Sequence, residues 1–270
     1  MTRPRRIGLW LGVTVLVVLI VMAAFPSLFT GVDPDAADVD ALLQPPGAGH
    51  WLGTDQNGRD LYARIVYGTR PSLLIGAGAV ALALVGGTLV GVAAAQLGRI
   101  ADQIIGRLLD VVLSVPGLLL VFLVVAVLGP GAGTATVGLA VVSLPGFARV
   151  ARAEVISLRG REYVEAAYGF GWTRAQVVLR HILPNALGPV LALATVSLGA
   201  MIVASSSLSF VGLGPRPPTA EWGAMLAGSR EFLALAWWPA AFPGAAITLT
   251  VLAVTSVGRH LQRTVDGSTL

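Results

Sequence analysis

Few side chains in this sequence can do chemistry, and most of those are kept apart. Cysteine is absent, which removes thiolate metal sites, cysteine nucleophiles and disulfides. The histidines are His50, His181 and His260, and all three lie outside the long apolar runs. Ser205-Ser206-Ser207 places hydroxyls inside one run, yet no run supplies a histidine to activate them, as an intramembrane hydrolase would need. No His/Cys/Asp cluster favours a metal site. The chain lacks Gly-x-x-x-x-Gly-Lys-[Ser/Thr] and has no lysine at all, so phosphate-cradling ATP chemistry must belong to another chain.

The residues that remain suit recognition rather than catalysis, and they concentrate in 151–186. Arg161–Tyr168 is rich in helix-compatible residues, among them Glu162, Glu165, Ala166 and Ala167. Gly169 and Gly171 break that helix, because glycine takes positive φ at little cost. Thr173 suits the N-cap of a second helix. In it Trp172, Ala175, Leu179 and Ile182 recur at spacings of three and four and form one apolar face. Arg174, Gln176 and Arg180 lie mostly away from that face, and Pro184 interrupts the pattern. Small side chains at Ala166-Ala167 would let another surface approach the backbone, and Glu165 would anchor a cationic partner. Physical reasoning leaves a second possibility open, an interfacial helix held on lipid headgroups by its arginines and Trp172.

The elements that must position this stretch are apolar. Hydrophobic residues make up 55% of the 270-residue chain and charged residues 12%, with mean hydropathy +0.80. Soluble domains carry about 25% charged residues, so lipid is the solvent expected for most of the surface. The formal net charge is +4, carried by arginines dispersed along the chain, without the dense clusters of a nucleic-acid site. A crossing helix needs about 20 apolar residues. On that measure six spans are expected, at 8–29, 73–96, 110–128, 134–150, 187–211 and 240–258. Gly129-Pro130-Gly131-Ala132-Gly133 marks the turn between the third and fourth. The first run exceeds the apolar core of a secretory signal, so it reads as an uncleaved anchor.

Positively charged loops stay cytoplasmic. With the N-terminus inside, inner segments hold thirteen arginines and outer segments five; both termini are therefore expected in the cytoplasm. The outer loop 30–70 begins acidic, with Asp33, Asp35, Asp38 and Asp40. A second outer loop, 212–239, ends in Trp237-Trp238, as an interfacial aromatic belt would. Residues 1–70 read as an anchor and outer loop, and 71–270 as a core with its cytoplasmic segment at 151–186. Glycine pairs Gly8/Gly12 and Gly87/Gly91 have the spacing of close helix contacts. Pro116-Gly117, Pro145-Gly146 and Pro243-Gly244 are candidate kinks. Asp102 and Asp110 alternate with Arg99 and Arg107, a pattern of interfacial ion pairing.

Glu165-Ala166-Ala167, Gly171 and Leu183-Pro184 have the identities and spacing of the Glu-Ala-Ala signature, and the chain resembles the permeases of binding-protein-dependent ATP-binding-cassette importers. His181 stands at the signature's isoleucine position, with Ile182 next. Arg180–Asn185, the outer-loop stretch His50–Asp60, and Ser207–Gly214 with Pro217–Gly223 resemble the C-type branch for dipeptides, oligopeptides and nickel. The likeness runs from about residue 5 to 258, whereas the tail departs at Gly258-Arg259-His260-Leu261 and Asp266-Gly267. The resemblance implies an all-α, type I importer permease fold in a bacterial inner membrane. It implies a homologous second permease, two cytoplasmic ATPase subunits that hold ATP and magnesium, and an extracytoplasmic substrate-binding protein. Glu165, Ala166, Ala167, Gly171, Leu183 and Pro184 would then form the ATPase-coupling element. The competing expectation, a carrier or channel driven by an ion gradient, calls for ionisable residues within the spans; only Asp110 and Arg149 qualify, and both sit near span ends.

Overall fold

The computed structural model describes residues 3–267, and in them every named element is helical. In chain order these are α1 (Arg3–Ala24), α2 (Leu61–Gln96), α3 (Arg99–Ser114), α4 (Gly117–Leu128), α5 (Ala132–Arg159) and α6 (Glu162–Gly169). After them come α7 (Arg174–Val177), α8 (Leu183–Phe210), α9 (Trp222–Ser229) and α10 (Trp238–Gly267). The turn Val178–Ile182 joins α7 to α8, so that Arg174–Phe210 runs as one 37-residue helix.

The structure does not confirm the expected count of six crossings. Among the described residues four helices are long and apolar enough to span, namely α2, α5, Arg174–Phe210 and the Trp238–His260 part of α10. The apolar part of α1, Gly8–Ala24, is shorter. The third expected span, 110–128, is broken into α3 and α4, which meet at 93°. The cause is Pro116. A residue before proline is driven out of the α region, and Val115 is extended at φ −90°, ψ 131°. Proline alone does not decide the matter, since Pro71, Pro145, Pro189 and Pro243 all sit inside continuous helices.

At the centre α2 lies against α5, and the contact is backbone to backbone. A Cβ on Gly91 would come within 2.3 Å of the Ala148 carbonyl oxygen, and one on Gly87 within 2.5 Å of Phe147 Cβ. The glycine spacing in α2 thus marks a true close approach. In α1, Gly12 meets the Ala253 carbonyl of α10 while Gly8 touches it only loosely. The other face of α2 packs on α8, where Gly76 faces Ile202.

The motif residues of the loops 30–70 and 212–239 fold into one cap. Asp60 N-caps α2 by accepting from the Ala63 amide at 2.8 Å. Asp55 accepts from the amides of Asn57 and Arg59 and pairs with the Arg59 side chain at 2.8 Å. Arg64 joins Asp35 of the acidic loop and the Pro218 carbonyl of the second loop. Glu221, fully buried, accepts from Ser72 of α2 and from the first amides of α9. Trp237 and Trp238 do not share the expected interfacial belt: Trp237 is exposed, but Trp238 is buried and donates to the Thr54 carbonyl.

Replacing Gly91 by valine overpacks the α2–α5 contact. The expected outcome is a destabilisation of about 1–3 kcal/mol, read as a lower melting temperature of the detergent-purified protein, with the exposed neighbour substitution Leu89→Ala close to wild type.

Candidate functional site

Gly171 explains why the 165–171 segment folds as it does. It sits at φ +84°, a left-handed conformation, and a Cβ there would meet nothing within 4 Å. The requirement for glycine is therefore in the backbone and not in packing. The Gly171 amide donates to the Tyr168 carbonyl at 3.0 Å and the Trp172 amide to the Ala167 carbonyl at 3.2 Å. Those two bonds are the Schellman termination of a helix, with glycine one residue past the cap. Gly169, by contrast, is the last helical residue of α6 and keeps a negative φ. Immediately afterwards Thr173 caps α7, and Gln176 returns a bond to the Thr173 amide, closing a capping box.

The two alanines of Glu165-Ala166-Ala167 differ in burial. Ala167 and Val164 are buried in a cluster with Ala95 of α2, Val155 of α5, Val177 of α7, and Ile182 and Ala186 at the head of the fifth apolar run. Glu165 and Ala166 are exposed. Around them lies an apolar surface of Tyr163, Tyr168 and Phe170, the last 84% exposed. A carboxylate and a small side chain are thus exposed on a short helix, with an exposed aromatic residue at its C-cap.

The apolar face expected for the second helix is redrawn by one turn. Leu183 donates to the Val178 carbonyl five residues back, so Val178–Ile182 is a π turn. Residues five apart then share a face, and the buried pair is Val177 and Ile182. Leu179 is 63% exposed and Ala175 is also outside, while Trp172 is half-buried. The wider turn comes just before Pro184, whose ring would crowd the Arg180 carbonyl in a regular α-helix. Pro184 therefore does not stop the helix; it starts α8 at its second position. Leu183 is half-buried beside it and Pro184 is exposed. His181 lies between Trp172, at 4.9 Å between centroids, and Tyr163 at 6.3 Å, with Arg180 over the Trp172 ring.

The site thus brings Glu165, Ala166, Ala167 and Gly171 into one short helix and its cap, with Leu183 and Pro184 on the adjoining helix. Sequence reasoning missed Val164 and Val177, its main buried anchors, and the exposed Phe170. The i, i+3 pair Val164/Ala167 was the available signal. Asp102 and Asp110 do form ion pairs, but with Arg152 and Arg149 of α5, not with Arg99 and Arg107. Among the described residues no group of three His, Asp or Glu side chains could hold a metal ion.

Comparison with known proteins gives a consistent picture. Residues 87–267 match the model of the family described as binding-protein-dependent transport system inner membrane component. A dipeptide transport system permease protein of Alkalihalophilus pseudofirmus is 40% identical over 255 residues, covering 94% of this chain and 84% of that protein. A probable D,D-dipeptide transport system permease protein of Escherichia coli is 40% identical over 252 residues, covering 93% and 85%. A glutathione transport system permease protein of Pectobacterium atrosepticum is 40% identical over 229 residues, covering 85% and 76%. Among solved structures, an inward-facing conformation of the MetNI methionine ABC transporter aligns with TM-score 0.60 at 20% identity, over 76% of this chain and 97% of that one. That last likeness bears on the fold alone.

Substituting Gly171 by alanine forces an L-residue into the left-handed region, at a cost of about 1–2 kcal/mol. The expected outcome is faster hydrogen exchange at the Gly171 and Trp172 amides with membrane insertion intact. Asparagine, which tolerates this region better, should fall between glycine and alanine.

Proposed function

This chain belongs to the binding-protein-dependent transport system inner membrane component family, and on that footing we propose that it imports peptides or related small solutes by alternating access, driven by separate ATPase subunits. It is a multi-pass inner-membrane permease subunit of an ATP-binding-cassette importer. The relatives are named for dipeptides, D,D-dipeptides and glutathione, all built on amino-acid backbones, and this shared chemistry supports a short peptide or peptide-like substrate.

In the proposed assembly the chain pairs with a homologous permease, two cytoplasmic ATPases hold ATP and magnesium, and an extracytoplasmic binding protein delivers substrate. Both termini face the cytoplasm, as the arginine distribution favours. The segment Glu165–Gly171 seats in a cleft of one ATPase: Glu165 meets a cationic group, Ala166 allows close approach, and Gly171 sets the exit direction of the chain. The observation that carries this reading is the split of α6 into an exposed face at Glu165 and Ala166 and a buried face at Val164 and Ala167. A pull on the exposed face is delivered through the buried one to α2, α5 and the head of α8. Closure of the ATPase pair would draw the two docked segments together and turn the helices above them. Ion-gradient drive finds no support in the relatives.

The test is the purified complex carrying Glu165→Ala. Substrate-stimulated ATP hydrolysis should drop towards the unstimulated rate, with subunit stoichiometry after mild extraction reduced. Wild-type stimulation together with wild-type uptake would remove Glu165 from the coupling element.

A further inference from the structure

Helix α3 departs from every other apolar element in how its residues are laid out. Ile100, Ile104, Leu108 and Val111 recur at spacings of four, four and three, so they share one face. All four are exposed, from 55% at Ile104 to 76% at Ile100. Beside this stripe, Arg99, Gln103 and Arg107 form a second exposed row, each one turn from the next. The protein-facing side holds Leu109, which is buried, and Asp102, which takes two bonds from Arg152. Asp110 pairs with Arg149. Both carboxylates of α3 are thus taken by α5, and no ion pair among the described residues takes Arg99 or Arg107. A net positive row is left bordering an apolar one.

The placement of α3 fits that pattern. The helix stands at 93° to α4, so the two cannot cross a bilayer in line. Its carboxylates are eight residues apart, roughly 12 Å along α3, yet they meet arginines three residues apart, about 4.5 Å along α5. The long arginine stems span the difference, so both pairs tie α3 to one short stretch of α5. The anchoring arginines lie where α5 approaches its inner end, and Gly98, which opens α3, follows directly on the end of α2. From these observations we infer that α3 lies flat on the membrane surface at the cytoplasmic side, with its apolar stripe in the acyl chains and Arg99 and Arg107 among anionic lipid headgroups. An exposed apolar face bordered by cations is the composition that holds an interfacial helix to an anionic leaflet. The long arginine stems reach along the apolar boundary and keep their charges at headgroup level. Because α3 is bonded to α5, and α5 leads into α6, lipid charge is tied to the position of the segment proposed to meet the ATPase.

The test uses the complete transporter in nanodiscs of phosphatidylethanolamine and phosphatidylglycerol. The chain contains no cysteine, so Ile100→Cys, Ile104→Cys and Leu108→Cys each add one site for a nitroxide, and the parent complex supplies the background. Depth is read from the relative access of oxygen and of an aqueous nickel chelate. The expected result is one common shallow depth at all three positions. Depth changing steadily by about 6 Å per four residues would show a helix along the membrane normal and overturn the inference. Exclusion of both quenchers would show a protein contact on the stripe and overturn it equally. Neither reading depends on Glu165, so the outcome stands apart from the coupling assignment. For the headgroup contact, the double variant Arg99→Gln/Arg107→Gln, reconstituted in sealed proteoliposomes, should lose at least half of the uptake advantage of anionic over zwitterionic lipid. An unchanged ratio would remove the arginines from that role.

Discussion

Burial of Val164 and Ala167 against the ends of the long helices is the contact on which the Glu165-bearing end of this protein depends. The cluster they enter draws Ala95 from α2, Val155 from α5, Val177 from α7, and Ile182 and Ala186 from the helix that follows. Each contributes little alone, about 0.8 kcal/mol per buried methylene, but together they tie three long helices, α2, α5 and Arg174–Phe210, to one short helix. Without that tie, α6 would be a loop on the membrane surface, and the Glu165 face would have no fixed direction. With it, the exposed and buried sides of α6 move as one body. The Schellman bonds at Gly171 and the capping box at Thr173 hold the chain in the tight reversal that lets α6 and α7 share the cluster.

The same economy of close contact extends into the bilayer. Gly87 and Gly91 let α2 meet α5 at backbone distance, which suits a medium where apolar surface alone gives no preference for helix over lipid. At the opposite end the polar groups that lipid would not tolerate are gathered into the cap around Asp55, Arg59, Arg64 and Glu221 and are bonded there. The helices are thereby fixed at one end by a hydrogen-bonded cap and at the other by a small apolar cluster.

Much of this was legible in residue types. The charge deficit and apolar runs gave the all-helical membrane class, and glycine at 171 and threonine at 173 gave the turn, because their physical requirements are local. The features that escaped depend on neighbours. Nothing in the sequence separates Pro116, which breaks a helix, from Pro145, which does not; surrounding helices decide whether the freed carbonyl can be satisfied. The π turn shifts the register after Val177, so a strict 3.6-residue pattern assigned Leu179 inward when it points out. Ala166 and Ala167 are identical residues with opposite environments, set by which face of α6 meets Val155. The partners of Asp102 and Asp110 lie some forty to fifty positions away, beyond any local pattern.

The account rests most directly on where the exposed face of α6 resides and what covers it. Phe170→Cys, introduced into this cysteine-free chain, can be labelled with maleimides that do or do not cross the membrane. The account predicts no reaction with the impermeant reagent in intact cells, rapid reaction in inside-out vesicles stripped of ATPase, and protection when the ATPase subunits are restored. Labelling from outside the cell, or equal labelling with and without the ATPase, would contradict it.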